Sequence, residues 1–437
     1  MLFKKSSRKT IQFILFLFDL FAFLLAIFSS LLLRRLSIPS VNDWVYHIKM
    51  FFPVIFYAIC TMYLLGLYVV NRPIGGRIVL TKLTAIGIVG CGLGFVFFYF
   101  QHDKINFPKT ILLYYWIFFC LFTWIIRVIL IAFLKRRKIP VVFLGNTKSL
   151  DSLVKDLKNN QMLGYKPVFE YKSELDKDAL ISFIKKEKNN NEVMYVYKDK
   201  ESLLNDISEQ LHTLVAKGFQ FIEYSDFYEY IERKIPPEDI GESWFLSNIL
   251  LWKRRPYFFF KRAAGIILAL IGLVLTVWLW PFIALLIHID SPGSVFFIQE
   301  REGRRGKTFN LYKFRSMYVN EQRVTKVGKL LRATRLDELP QFLNVIRGDM
   351  SLIGPRPEQP KLALELEKEI PWYNQRLLVR PGITGWDQVC GEYHSASKED
   401  TFKKLQSDLY YIKNCSLFLD ISILFKTIGT VFRREGK

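Results

Sequence analysis

The 437-residue sequence predicts a membrane α/β protein in three parts. We expect four N-terminal transmembrane helices, a degenerate Rossmann-like α/β domain, and a monotopic, α-rich C-terminal domain with a re-entrant helix hairpin. Three observations predict this architecture. Membrane-length apolar runs fill the first third of the chain, and short β-rich segments alternate with amphipathic segments in the middle. A fifth apolar run, interrupted by a proline, precedes a basic C-terminal region.

Residues 1–138 are predicted to form the four-helix transmembrane domain. Basic residues precede the first apolar run and follow the last one, so the positive-inside rule places both ends in the cytoplasm. The net charge of +21 has the same explanation, or reflects contact with anionic lipid headgroups. No nucleic-acid recognition motif accompanies this charge, so we expect no nucleic-acid partner. The four apolar runs lie at about residues 11–33, 50–70, 78–100 and 110–134.

Two charged residues fall inside these predicted spans at a similar depth. Asp19 lies in the first span and Arg127 in the fourth. Charges within a bilayer are costly and are usually paired. We predict that Asp19 and Arg127 pair and fix the packing of the first helix against the fourth, with independent snorkelling of Arg127 as the alternative.

Residues 139–234 are predicted to form the small parallel α/β domain. The first strand-to-helix turn, LGNTKSLDSL, contains one glycine where a dinucleotide-binding fingerprint needs three. This favours a structural or regulatory domain over a nucleotide-binding one. Residues 235–252, which include Pro236-Pro237, are predicted to be a linker. The β-rich runs lie at residues 141–145, 166–171, 192–197 and 219–224, and the helical stretches begin near residues 149, 173, 200 and 226.

The uncharged run from Ala263 to Ile287 is long enough to be a fifth span. One more crossing would place the basic region that follows outside the cell. Pro281 also interrupts helical hydrogen bonding within the run. We therefore predict a re-entrant hairpin over residues 261–289 that bends at Pro281, with a kinked full span as the alternative.

The candidate site lies between Arg332 and Glu358. This stretch contains the adjacent acids Asp337 and Glu338, several arginines and the turn Pro355-Arg356-Pro357. Carboxylates provide hard oxygen ligands or a nucleophile, whereas arginines neutralise phosphate. The pattern therefore predicts a site for a divalent metal and an anionic phosphate compound.

Four segments of the C-terminal region carry a recognisable pattern. They are DSPGSVFFIQEREGRRGKTFNLYKFRSM at 290–317, LDELPQFLNVIRGDMSLIGPRPE at 336–358, VRPGITGWDQV at 379–389 and DLYYIKNCSLFLDISILFKT at 408–427. Through these segments, residues 253–437 closely resemble the bacterial sugar transferases, a family of polyprenyl-phosphate hexose-1-phosphate transferases. Together with the four spans and the middle domain, the chain resembles the large form of this family.

The resemblance implies transfer of a hexose-1-phosphate from a UDP-sugar to undecaprenyl phosphate, with release of UMP. It implies that Asp337 is the nucleophile, forms an aspartyl-phosphosugar intermediate and binds Mg²⁺. Glu338 would be a metal ligand, an acid–base group or a residue that orients Asp337. Arg332 and Arg356 match arginines that the family uses for phosphate. Arg315 and Arg380 are second candidates for the same role.

The same resemblance implies a place and partners for the protein. We expect a multi-pass protein of the bacterial inner membrane, with a catalytic domain on the cytoplasmic face that starts surface-polysaccharide assembly. A UDP-hexose, with galactose or glucose favoured, and the lipid bilayer are the other expected partners. Homo-oligomerisation stays open. Two alternatives also stay open: a glycosyltransferase that releases UDP, and a non-catalytic scaffold or sensor in polysaccharide export.

Three positions depart from the family pattern. Gly265 stands where an acid usually follows the Lys261-Arg262 pair, and Trp280 stands where a serine usually precedes the bend proline. Both departures concern the anchoring of the hairpin. Asp387 replaces a small residue, and either alters the substrate pocket or forms a local ion pair. The end of the chain, about residues 415–432, is predicted to be an interfacial helix, with a soluble core helix as the alternative.

Overall fold

The computed structural model falls into two compact units, which we describe separately. One comprises residues 1–146 and 150–223, and the other comprises residues 147–149 and 224–437. The structure describes residues 7–68, 76–100, 109–136, 138–145, 149–159, 164–171, 182, 193–198, 220–319, 323–390 and 397–432.

The N-terminal unit begins with five helices: α1 (Ser7–Arg35), α2 (Val41–Met50), α3 (Phe52–Leu64), α4 (Gly76–Phe100) and α5 (Lys109–Arg136). Three of them, α1, α4 and α5, are long and apolar enough to cross a membrane. The second predicted span, at residues 50–70, differs from the prediction. Within it lies the shorter helix α3, which follows α2 at a bend of 53°. Pro53 lies in the first turn of α3, where its missing N–H is tolerated, so one helix ends and another begins here.

The predicted pairing of Asp19 with Arg127 is confirmed. Arg127 Nη2 lies 2.7 Å from Asp19 Oδ2, and both residues are almost fully buried. Arg127 Nη1 also donates to the Leu67 carbonyl at 2.6 Å. The ion pair joins α1 to α5, and satisfies two charges that would be costly in a bilayer if left unpaired.

A four-stranded parallel sheet follows the helices. Its strands β1 (Ile139–Leu144), β2 (Tyr165–Tyr171), β3 (Met194–Tyr197) and β4 (Gln220–Glu223) have the order β2-β1-β3-β4. All four match predicted β-rich runs. The predicted helix near residue 149 is α6 (Leu150–Asn159). The helices predicted near residues 173 and 200, and part of the turn after β1, lie outside the described residues.

The C-terminal unit begins with α7 (Tyr224–Glu232), earlier than the predicted boundary at residue 234. Residues 235–252, predicted to be a linker, are instead folded and include α8 (Glu242–Asn248). Ile235, Trp244 and Phe245 of this segment are buried against residues of the C-terminal domain, including Leu409. The linker prediction was wrong because the prolines at its start precede a short helix whose aromatic residues complete a core.

The fifth apolar run forms α9 (Arg255–Thr276), a 3₁₀ turn at Val277–Leu279, and α10 (Trp280–Asp290). Pro281 lies in the first turn of α10, so the α-helix is interrupted just before the proline rather than at it. Only 11% of the most apolar window in Arg255–Asp290 is buried. Among the described residues, four segments are long and apolar enough to cross a membrane: this one and the helices α1, α4 and α5. The bent pair of α2 and α3 would be a fifth if it formed one span.

The rest of the unit contains short strands and helices. Strands β5 (Phe296–Glu302) and β6 (Thr308–Phe314) are antiparallel, whereas β7 (Ser351–Ile353) and β8 (Gly382–Thr384) are parallel. On the last helix, Leu417–Phe432, Ile423 is buried, while Phe418 and Ile421 are exposed, as an interfacial helix requires. The helices are α11 (Lys326–Ala333), α12 (Gln341–Arg347), α13 (Pro360–Glu369), α14 (Trp386–Val389), α15 (Lys398–Asn414) and α16 (Leu417–Phe432).

Candidate functional site

Asp337 and Glu338 lie on a 3₁₀ turn, Leu336–Glu338, between α11 and α12. Both acids are buried, with 6% and 7% of their surface exposed. Arg335, directly before the turn, has a left-handed backbone with φ of 57°. A non-glycine residue in this region carries steric strain of about 1–2 kcal/mol. The surrounding structure therefore maintains a backbone geometry that the local sequence does not favour.

Three cations surround the carboxylate of Glu338. Lys313 Nζ lies 3.0 Å from Oε1, Arg356 Nη2 lies 3.3 Å from Oε1, and Arg335 Nη1 lies 3.5 Å from Oε2. Burial alone would raise the pKa of Glu338. The charges of Arg356, Lys313 and Arg335 outweigh burial and lower the pKa to about 2. Glu338 is therefore ionised at neutral pH and holds the cations next to Asp337.

The carboxylate of Asp337 is in a different environment. Its Oδ1 atom is buried and has no hydrogen-bond partner within the described part of the chain. Burial, followed by the negative charge of Glu338, raises the pKa of Asp337, while Lys313, Arg332 and Arg335 oppose this shift. A desolvated carboxylate is more basic and hence more nucleophilic than a solvated one. An unpaired buried oxygen is also the feature expected where an absent ligand would bind.

Arg332 and Arg356, both predicted to bind phosphate, lie at this acid pair. Arg332 extends from the last turn of α11 and donates from Nε to Ser316 Oγ at 2.8 Å. Its charge acts against the rise in the pKa of Asp337 that burial causes. The side chain of Arg356 is 41% exposed, so part of its guanidinium group is accessible to an incoming anion. Lys313 and Arg335 complete a set of four cations around two carboxylates. The surplus of positive charge suits a diphosphate.

The structure does not place Arg315 and Arg380 in this cluster. Arg315 donates from both Nη atoms to the carbonyls of Ser291 and Pro292, directly after α10. These contacts tie the end of the apolar segment to β6. Burial, followed by the nearby charge of Arg262, lowers the pKa of Arg380. Arg380 therefore lies in another basic environment, close to the start of α9.

The two arms of the apolar segment, α9 and α10, pack against the residues around the acid pair. Leu336 and Leu339, on either side of the acids, pack with a buried cluster that includes Ile283 and Ile287 of α10. The helix that follows the acids, α12, packs against Ala269 of α9. The residues that flank the acid pair therefore pack against both α9 and α10.

Polar contacts fix the same helix at its middle and near its C-terminal end. The amide nitrogen of the buried Asn344 donates to the Asn310 carbonyl at 2.7 Å, and its oxygen accepts from the Tyr312 amide at 3.2 Å. Arg262 of α9 donates to the carbonyls of Val345 and Ile346, where a cation is also favoured by the helix dipole. These bonds hold α12 against β6 and against the apolar segment.

The acid pair is the candidate position for a divalent metal ion. No group of three or more His, Cys, Asp or Glu residues among the described residues is arranged to hold a metal. Mg²⁺ typically takes one or two protein carboxylates and completes its coordination with water and substrate phosphates. The unpaired Oδ1 of Asp337 provides one such ligand.

The structure shows the surroundings of the three positions that depart from the family pattern. Near Gly265, Lys261 Nζ lies 3.3 Å from a carboxylate oxygen of Asp420 on α16. Trp280 packs its ring against Phe314, with centroids 5.4 Å apart. Asp387 is buried on α14. Burial raises the pKa of Asp408, the charge of Arg376 opposes this rise, and the charge of Asp387 adds to it.

Sequence reasoning missed Lys313, which pairs with Glu338, and the buried ion pair of Arg376 with Asp408. Lys313 lies near the end of β6, two residues before Arg315, which follows the strand. Lys313 contacts Glu338, whereas Arg315 contacts the carbonyls of Ser291 and Pro292. No local pattern joins Arg376 to Asp408.

Comparison with known proteins agrees with this geometry. Residues 256–434 match the family model described as bacterial sugar transferase. A UDP-N-acetylgalactosamine-undecaprenyl-phosphate N-acetylgalactosaminephosphotransferase of Aeromonas hydrophila is 49% identical over 192 residues, which are 41% of this chain and 45% of that protein. A UDP-glucose:undecaprenyl-phosphate glucose-1-phosphate transferase of Escherichia coli K12 is 42% identical over 181 residues, which are 38% of this chain and 39% of that protein.

These two matches span less than half the length of each relative. A third relative, the exopolysaccharide production protein PSS of Rhizobium leguminosarum bv. phaseoli, is 38% identical over 191 residues, and 96% of its length is matched. A part of the present chain, 40% of its length, thus matches nearly all of that protein. The chain belongs to the bacterial sugar transferase family.

Proposed function

We propose that this protein is a phosphotransferase that moves a hexose-1-phosphate from a UDP-sugar to undecaprenyl phosphate. The products would be undecaprenyl-diphosphate-sugar and UMP, and the reaction would begin the assembly of a surface polysaccharide. One observation carries the proposal. Asp337 has a buried, unpaired carboxylate oxygen beside Glu338, whose own charge is neutralised by three cations.

In the first step, a carboxylate oxygen of Asp337 attacks the β-phosphorus of the UDP-sugar. A bond forms between this oxygen and phosphorus, the bond from phosphorus to the UMP oxygen breaks, and UMP leaves with the electron pair. Arg332 and Arg356 would neutralise the phosphate oxygens, without which two anions could not approach. When bound at Asp337, Mg²⁺ would supply further charge neutralisation to the diphosphate.

In the second step, a phosphate oxygen of undecaprenyl phosphate attacks the phosphorus of the aspartyl-phosphosugar intermediate. The bond from phosphorus to Asp337 breaks, the free carboxylate returns, and the lipid diphosphate sugar is released. Neither step transfers a proton at the reacting atoms. Glu338 therefore needs no acid–base role, and its environment, which keeps it ionised, suits a residue that holds Lys313 and Arg356 in place.

The lipid acceptor requires the site to lie at a membrane surface, and the apolar arms support this. Both polar ends of Arg255–Asp290 are bound to the same unit: Lys261 contacts Asp420 near one end, and Asp290 accepts from the Val327 amide at the other at 2.7 Å. A segment that crossed a bilayer would separate its ends by about 30 Å. We propose that the arms form a re-entrant element in the inner membrane, with the active site on the cytoplasmic face.

Incubation of the purified protein with undecaprenyl phosphate, Mg²⁺ and a panel of UDP-sugars tests this function. The panel should contain UDP-glucose, UDP-galactose and UDP-N-acetylgalactosamine, because relatives are named for glucose and for N-acetylgalactosamine. We expect UMP release that depends on the lipid and on Mg²⁺. Release of UDP would indicate transfer of the sugar alone, and no nucleotide release with any sugar would favour a scaffold.

A further inference from the structure

The turn that carries Arg356 is held by its backbone. The four successive carbonyls of residues 355–358 each accept a hydrogen bond. The donors are, in order, the Gly382 amide at 2.9 Å, Arg376 Nη2 at 2.7 Å, Arg301 Nη1 at 3.2 Å and the Glu302 amide at 2.9 Å. Residues 355–358 therefore keep one backbone conformation, and the bond at Arg356 comes from a side chain.

Arg376 is itself a buried residue, with 5% of its surface exposed. Its Nη2 atom lies 3.0 Å from Asp408 Oδ2, and its Nη1 atom donates to the Tyr373 hydroxyl at 2.7 Å. Glu358 lies further away, with Oε1 at 4.0 Å from Nη1. Both ends of the guanidinium group are thus occupied, and Asp408 compensates its charge. A guanidinium group held in this way presents a fixed donor to the carbonyl of Arg356.

The position of this contact is significant because of the prolines on either side of Arg356. The rings fix φ at Pro355 and Pro357, and a residue before proline is restricted to extended conformations. The torsions left with most freedom are ψ of Pro355 and φ of Arg356. The hydrogen bond from Arg376 holds the Arg356 carbonyl and so limits rotation of this residue about both torsions.

Resting on the proposed function, we infer that Arg376 is a positioning residue for phosphate-group transfer, which acts through the Arg356 carbonyl to aim the Arg356 guanidinium group at the donor phosphate. Asp408 is its counter-charge. The chain of contacts runs from Asp408 through Arg376 to the backbone of Arg356, and from the Arg356 side chain to Glu338 at 3.3 Å.

The test is a double-mutant cycle between Arg376→Lys and Arg356→Ala, with UMP affinity measured by calorimetry in the presence of Mg²⁺. Lysine keeps the buried positive charge opposite Asp408 but loses the planar fork that reaches both Asp408 and Tyr373. A misplacement of about 1 Å can cost on the order of 100-fold in rate. We expect Arg376→Lys to weaken UMP binding and lower kcat about 10- to 100-fold. The same change should have no further effect on UMP affinity when Arg356 is already alanine.

Arg301→Lys is the matched control. Arg301 makes the same kind of contact, but to the carbonyl of Pro357 rather than to that of Arg356. We expect it to lower kcat by less than a factor of three. Asp408→Asn, which removes the counter-charge without creating an unpaired carboxylate, should change kcat in the same direction as Arg376→Lys. If Arg376→Lys fails to fold, Asp408→Asn tests the positioning role of Arg376 in its place.

Equal losses of UMP affinity from Arg376→Lys in the wild-type and Arg356→Ala backgrounds would overturn the positioning role, since the effect would then not pass through Arg356. The positioning role would also be overturned if Arg376→Lys and Asp408→Asn both kept wild-type activity. A wild-type protein that releases no UMP overturns the proposed function instead, and this outcome is distinct from additivity in the cycle.

Discussion

Two glycines on one helix allow the packing of the apolar segment under the site to be tested. A methyl group at Gly272 would lie 2.8 Å from ring carbons of Phe342, which belongs to the helix that follows the acid pair. A methyl group at Gly265, two turns earlier, would meet no atom within 4 Å. The same substitution therefore creates a clash at one position and fills open space at the other.

The two substitutions should differ in stability by the cost of the clash. Replacement of a helical glycine by alanine stabilises by about 0.5–1 kcal/mol, and this gain is common to both positions. Overpacking costs about 1–3 kcal/mol and applies to Gly272→Ala alone. Each kcal/mol shifts Tm by about 2–4 °C for a folded unit of roughly this size. We expect Gly265→Ala to raise Tm slightly and Gly272→Ala to lie several degrees below it.

Thermal unfolding of the two detergent-solubilised variants, followed by circular dichroism, measures this difference. Turnover should follow the same order, because displacement of Phe342 moves the helix next to the acids. Equal Tm values for the two variants would refute the close packing of α9 against α12. A lower Tm for Gly265→Ala than for Gly272→Ala would contradict it more strongly.

Two further predictions concern charges. The charge of Glu338 raises the pKa of Asp337, whereas the charge of Lys313 lowers it. Glu338→Gln should therefore move the acidic limb of the kcat/KM pH profile to lower pH, and Lys313→Met should move it to higher pH. Shifts of both variants in the same direction would contradict the proposed electrostatics. Asp420→Asn alone leaves the mostly buried Lys261 without its carboxylate and should cost about 3–5 kcal/mol in unfolding free energy, whereas adding Lys261→Met should recover part of the loss. If the losses in unfolding free energy from Asp420→Asn and Lys261→Met simply added, the side chains of Asp420 and Lys261 would not interact.

Local pattern was sufficient to predict much of this molecule. Hydropathy located α1, α4, α5 and the apolar segment before Ser291, and short β-rich runs located all four strands of the parallel sheet. The acid pair and its arginines Arg332 and Arg356 were predicted from one continuous stretch. These features succeeded because each is encoded by residues close together in the chain.

Other features depend on residues far apart in the chain and could not be predicted. The carboxylate for Lys261 comes from Asp420, and the counter-charge for Arg376 comes from Asp408. The bend between α2 and α3 falls within a run whose mean hydropathy resembles a single span. Hydropathy averages over a window and does not register the effect of one proline on helix geometry.

The central claim is that Asp337 becomes covalently bonded to phosphorus, and capture of that intermediate tests it most directly. The purified protein would be mixed with Mg²⁺ and the UDP-sugar that it turns over, labelled with ³²P at the β-phosphate, and quenched without undecaprenyl phosphate. We predict one labelled phosphosugar per protein, a matching burst of UMP, and no label in Asp337→Asn. A label that persists in Asp337→Asn, or lipid-dependent turnover of the wild-type protein without any label, would contradict the account.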